Sequence, residues 1–132
     1  MRRKRYPPID PREWLNRAKS NLAAAGNVIP DTYLEDLCFS AQQAAEKAIK
    51  AVFIHRGVPF PYVHDLKRLL RLLARHGVKI PKYVLAAQEL TPFAVEARYP
   101  GHSPPVTKRQ YRRALRIAAG VVRWAERQIG KP

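Results

Sequence analysis

The stretch from Leu34 to Phe53 constrains the fold most. Leu34, Cys38, Ala41, Ala45, Ala48 and Val52 succeed one another at alternating spacings of four and three, the repeat of a helix packed lengthwise against other helices. Side chains this small let neighbouring helix axes approach closely. At 100° per residue, Gln42, Gln43, Glu46, Lys47 and Lys50 fall on the opposite arc and read as a polar stripe, with Glu46 and Lys50 in the favourable acid-first i,i+4 order. Phe39, Ile49 and Phe53 flank that arc and give the helix a second apolar side. Burial of this side against a copy of the chain is expected, in a twofold homodimer.

Twelve prolines fall almost entirely between periodic segments and so mark their boundaries. Asp10-Pro11-Arg12-Glu13 supplies an N-cap, a proline at the first helical position and an acid at N3 for a first helix. Trp14, Ala18, Leu22 and Ala25 line one face of it up to Gly26. Either Asp31 or a Thr32…Glu35 capping box opens the long central helix, which closes at Arg56-Gly57. His64 is expected to cap a third helix, faced by Leu66, Leu69, Leu70 and Leu73 and ended by Gly77. Pro81 opens a fourth, cored by Val84, Leu85 and Leu90, and Pro92 should break it near Thr91. Tyr99 to Pro105 cannot be regular structure. Thr107…Gln110 is a capping box for a last helix whose seam is Tyr111, Leu115, Ala118, Val122, Ala125 and Ile129. No segment alternates with period two between hairpin turns, so the fold class is all-α, with residues 10–130 as one bundle domain. Residues 1–9 read as a basic arm, whose leading Arg2-Arg3-Lys4-Arg5 is expected to be disordered, for use on polyanions or as a harmless tail.

Twenty-five Lys and Arg against ten Asp and Glu give a formal charge of +15, which points to polyanionic partners or to a highly charged, soluble surface. On the last helix Arg109, Arg112, Arg113, Arg116, Arg123 and Arg127 project within about 100° of arc opposite the apolar seam. This stripe is either a solvated face or a row of phosphate contacts. Lys67, Arg68, Arg71 and Arg75 form a shorter row on the third helix. One cysteine rules out an internal disulfide framework, and the four histidines show no metal-ligand spacing, so no metal or cofactor is expected. Cys38 reads as a small core residue, and His55 and His76 as helix-end residues beside glycines. No uncharged apolar run approaches the ~18 residues of a membrane span, and prolines rather than an apolar core follow Met1-Arg2-Arg3-Lys4-Arg5. A cytoplasmic protein without membrane contact is expected.

Arg98 and Tyr99 precede His102 in a Pro-Gly turn ahead of the last helix. An imidazole can exchange a proton with a ribose hydroxyl while a guanidinium grips the phosphate, the pairing a metal-independent ribonuclease uses.

Trp14-Leu15 with Ala18 and Leu22, Cys38-Phe39-Ser40-Ala41-Gln42-Gln43-Ala44-Ala45-Glu46-Lys47-Ala48, His64-Asp65-Leu66 and Ala97-Arg98-Tyr99-Pro100, in that order, resemble the HEPN domain family over most of residues 10–129. The resemblance implies an up-and-down antiparallel four-helix bundle with an additional short helix, commonly a homodimer, tied to nucleotides or RNA. Many members act with a minimal nucleotidyltransferase as a toxin–antitoxin pair, and others are metal-independent endoribonucleases. The ribonuclease members place four to six residues between an arginine and a histidine; here three separate Arg98 from His102. The resemblance marks Arg98 as phosphate-binding and His102 as a proton-transfer group, the candidate catalytic pair. Tyr99, Lys47 and Lys50 join them in a nucleotide or RNA cleft, with Arg109, Arg112, Arg113 and Arg116 as further contacts. An endoribonuclease and a scaffold without nucleic-acid ligand are the alternatives to a binding module.

Overall fold

The computed structural model describes residues 3–95, 97, 99–101 and 103–130. Its first helix, α1 (Pro11–Ala25), begins as the sequence dictates: the Asp10 carboxylate accepts the Arg12 amide at 2.9 Å and Pro11 occupies the first turn. Glu13 does not return to the cap, because the Asp10 amide already donates to the Pro7 carbonyl at 2.9 Å. Glu13 instead accepts the Tyr6 amide at 2.9 Å. The Trp14 indole donates to the Pro8 carbonyl and the Asn16 amide to the Lys4 carbonyl, at 2.7 and 3.0 Å. The described part of the basic arm is therefore docked along α1 rather than disordered.

The central helix is α2 (Leu34–Arg56), 23 residues and so ~34 Å long. Cys38, Ala41, Ala45, Ala48 and Val52 are fully buried, with α1 and α5 (Lys108–Ile129) lying along them. Neither expected cap forms at its start. Tyr33 holds the N-cap position without a side-chain hydrogen bond, while the Glu35 carboxylate accepts the Val106 amide at 3.1 Å and so ties α2 to the segment before α5. The far end closes on Gly57, whose φ of +68° is a left-handed conformation that glycine adopts at least cost. Because Ala45 is wholly enclosed, Ala45→Leu must push the helices apart, at about 1–3 kcal/mol. Urea unfolding should show that loss, and an unchanged midpoint would contradict a close-packed alanine seam.

Most of the stripe opposite the seam is covered. Gln42, Glu46 and Lys50 are buried, while Gln43 and Lys47 are half-buried; on the apolar flank Ile49 and Phe53 are fully covered and Phe39 half-buried. Phe53 meets Phe60 edge-on at 5.7 Å, and Phe60 meets Trp14 at 5.6 Å. The loop after α2 folds back over this side, so at Ile49 and Phe53 the burial expected from a second copy comes from the chain itself.

In α3 (Leu66–Arg75) Leu66, Leu69, Leu70 and Leu73 are buried, but Asp65 rather than His64 is the cap, accepting the Arg68 amide at 3.3 Å. The α-winding of α4 (Lys82–Leu85) passes into a 3₁₀ segment, Ala86–Ala94, that contains Pro92. The change comes several residues before the expected break. Proline in an α-helix would lack the amide that bonds the Gln88 carbonyl and would press its ring against it, and the tighter winding upstream avoids that clash. Thr91 in this segment accepts the Leu66 amide at 3.2 Å and joins it to the start of α3. Both halves of the Thr107–Gln110 capping box form, at 2.9 and 3.1 Å. The Tyr111 hydroxyl then donates to the Ala25 carbonyl at 2.6 Å, pinning α5 to the end of α1. No described residue belongs to a strand, and no described helix is long and apolar enough to cross a membrane.

Candidate nucleic-acid interface

The outer face of α5 carries the arginines because its inner face is committed: Tyr111, Ala114, Ile117, Ala118, Val121, Val122, Trp124 and Ala125 are all buried. Arg109, Arg112, Arg113, Arg116, Arg123 and Arg127 are exposed. Arg113 grips the Glu89 carboxylate with two hydrogen bonds of 2.7 and 2.6 Å. Among the described residues no ion pair engages Arg109, Arg112, Arg116 or Arg123. Their charge is available to a ligand. Where α4 and the 3₁₀ segment cross α5, a groove of about 530 Å³ opens between Tyr83, Ala86 and Gly120, bordered by Arg113, Arg116, Arg123 and Arg127.

The bend ahead of α5 lies beside the start of α2. Tyr33, Glu35 and Asp36 face Tyr99, Pro100 and Pro105 across a groove of about 400 Å³. Gly101 has a φ of +82°, a turn geometry that other residues adopt only with strain, and Tyr99 is 59 % exposed. Arg98 and His102, the candidate catalytic pair, lie outside the described residues.

Lys47 and Lys50 are not brought to this bend. Lys50 is about four turns, ~21 Å, further along α2 than Asp36. It is buried and donates to Glu46 at 3.0 Å, while Lys47 reaches the Asn21 side chain at 2.7 Å. Burial, with help from Arg17, holds the Lys47 ammonium below its ordinary pKa. The i,i+4 order was legible in the sequence; the cover over the stripe was not.

Glu46 is the centre of that covered stripe. Its carboxylate accepts from Gln42 at 2.9 Å and Lys50 at 3.0 Å, and meets His64 Nδ1 at 2.8 Å, so the histidine expected to cap α3 instead fastens the loop before it to α2. Burial raises the affinity of Glu46 for a proton, but the hydrogen bonds from His64, Gln42 and Lys50 outweigh it and leave the pKa below the usual 4.5. A group depressed in the folded state stabilises the fold above its unfolded pKa and loses that contribution as pH falls through the folded value. Melting temperature should therefore drop below about pH 4.5 more steeply in the native protein than in Glu46→Gln; parallel curves would remove Glu46 from the acid response. The Cys38 thiol, buried among apolar groups near Glu35, is pushed up to about 12 and stays protonated, as a core residue. No cluster of described residues could hold a metal ion.

Tyr83 and Gly120 were not anticipated as site residues. The available signal was Gly120 itself, since a glycine inside a long helix costs stability and marks a close approach by another group.

This bundle, with its long small-residue helix and basic last helix, defines a class of helical domains. The HEPN domain model matches residues 11–128, and the chain belongs to the HEPN family. Among solved structures it is similar to TT1696 from Thermus thermophilus, with 30% identity, a TM-score of 0.79, and 89% of this chain and 97% of that one covered. It is also similar to ST0689, described as an archaeal HEPN homologue, with 26% identity, a TM-score of 0.74, and 91% and 98% covered. No functionally curated protein matches the chain.

Proposed function

We propose that this HEPN protein binds nucleotide or RNA, acting with a minimal nucleotidyltransferase partner in a toxin–antitoxin-type module as a homodimer. The observation that carries the binding reading is the outer face of α5, where Arg109, Arg112, Arg116 and Arg123 are exposed and free of described ion pairs. Charges left without carboxylate partners on one helix face suit a chain of phosphates, which they bind without reading sequence. Arg98 would add a phosphate contact at the bend and the exposed Tyr99 a surface for a base.

The chemistry that would turn binding into cleavage needs His102 to deprotonate a 2′-hydroxyl and Arg98 to stabilise the phosphorane. Unstructured RNA incubated with the protein in EDTA and run on a native gel separates the readings. Intact, retarded RNA is expected. Fragments with 2′,3′-cyclic phosphate ends, lost in Arg98→Ala and His102→Ala, would replace a binder with a nuclease; RNA neither retarded nor cut would leave a scaffold.

A further inference from the structure

The groove between α4 and α5 holds an aromatic ring in an unusual mounting. Tyr83 is 46 % exposed, yet its ring is anchored at two points. Its hydroxyl is engaged by Arg127 Nη2 at 2.5 Å, and its Cδ2 lies 3.4 Å from where a Cβ on residue 120 would stand, so the ring rests against α5 in the space that glycine leaves. A side chain longer than a methyl at that position would displace it. The hydroxyl oxygen accepts from Arg127 and its own proton stays free to donate, while Tyr83, half exposed and lining the groove, brings an aromatic ring to it. Arg116 and Arg123, both exposed and without described ion partners, border the same groove.

We infer that Tyr83 is a stacking platform for one base of a single-stranded RNA whose adjoining phosphates meet Arg116 and Arg123, an inference that rests on the RNA-binding reading above. A rigid ring between cations is the arrangement that holds single strands, because every base has a π-face and every linkage a charge. The groove, at about 530 Å³, is of the size that takes a small ligand such as one nucleotide. An acidic peptide would use the arginines but gain little from the ring. Tyr83 gives the groove a preference for bases over bare charge, without selecting among bases.

Anisotropy of a labelled oligoadenylate, set against an abasic phosphodiester oligomer of equal length, tests this. Tyr83→Ala should weaken oligoadenylate binding about 5- to 140-fold, the range of one lost stack, and leave the abasic oligomer's affinity unchanged. Tyr83→Phe keeps the ring and should stay close to native, with circular dichroism confirming the fold of both variants. If the native protein binds RNA in a salt-dependent way but Tyr83→Ala binds oligoadenylate equally well, or the abasic oligomer binds as tightly, the platform is refuted and the phosphate reading stands. Binding to neither oligomer, or polyglutamate displacing RNA at equal charge, overturns the RNA reading itself.

Discussion

Replacing Glu46 with alanine is expected to lower the unfolding free energy by about 3–5 kcal/mol, the range for removing one partner of a buried ion pair. The loss exceeds that of a surface carboxylate because three groups depend on it. Lys50, with 8% of its side chain exposed, would keep a buried ammonium without a counter-charge. Gln42 is fully buried and would lose the acceptor for its amide. His64 would lose the contact that fastens the loop before α3 to α2. For a domain of this size the melting temperature should fall by roughly 10–20 °C. The double variant Glu46→Ala with Lys50→Met removes the stranded charge and should recover part of the loss, since the two side chains are in contact and their effects are not additive. A single-variant loss under about 1 kcal/mol, the worth of an exposed pair, would show that the network is solvated.

The second large effect concerns the outer face of α5. Changing Arg112, Arg116 and Arg123 together to glutamine removes three exposed cations that no described carboxylate engages. RNA affinity near 0.1 M salt should fall about 10- to 100-fold, as the loss of a few phosphate contacts implies. Stability should change little, since none of the three belongs to the buried face. Arg68→Gln with Arg71→Gln on α3 serves as the charge-matched comparison, and equal weakening there would mean that net charge alone, not the α5 face, draws the ligand.

Much of this was legible along the chain. The alanine seam of α2, the leucines of α3, the Asp10 and Thr107 caps and the proline boundaries are local signals, and local hydrogen bonding and periodicity decide them. What escaped was set by distant partners. The Glu35 carboxylate looked like a cap for its own helix until the Val106 amide claimed it. The stripe of Gln42, Glu46 and Lys50 has the same periodicity whether solvated or covered, and only the return of the loop carrying Phe60 and His64 decides between them. The Tyr83 platform joins two helices, so neither helix's own pattern announced it; Gly120 alone hinted at something close by. Arg98 and His102 were visible as a motif, and motif spacing says little about where two side chains meet in space.

Arginines on α5 that hold the phosphates of a single strand must make its binding depend on salt. The direct measurement is the slope of log affinity for single-stranded RNA against log salt concentration, for the native protein and the triple arginine variant. A linear fall is predicted in both, with the variant's slope shallower by about 2, near 0.7 for each lost phosphate contact. An affinity indifferent to salt, or equal slopes in the two proteins, would contradict it.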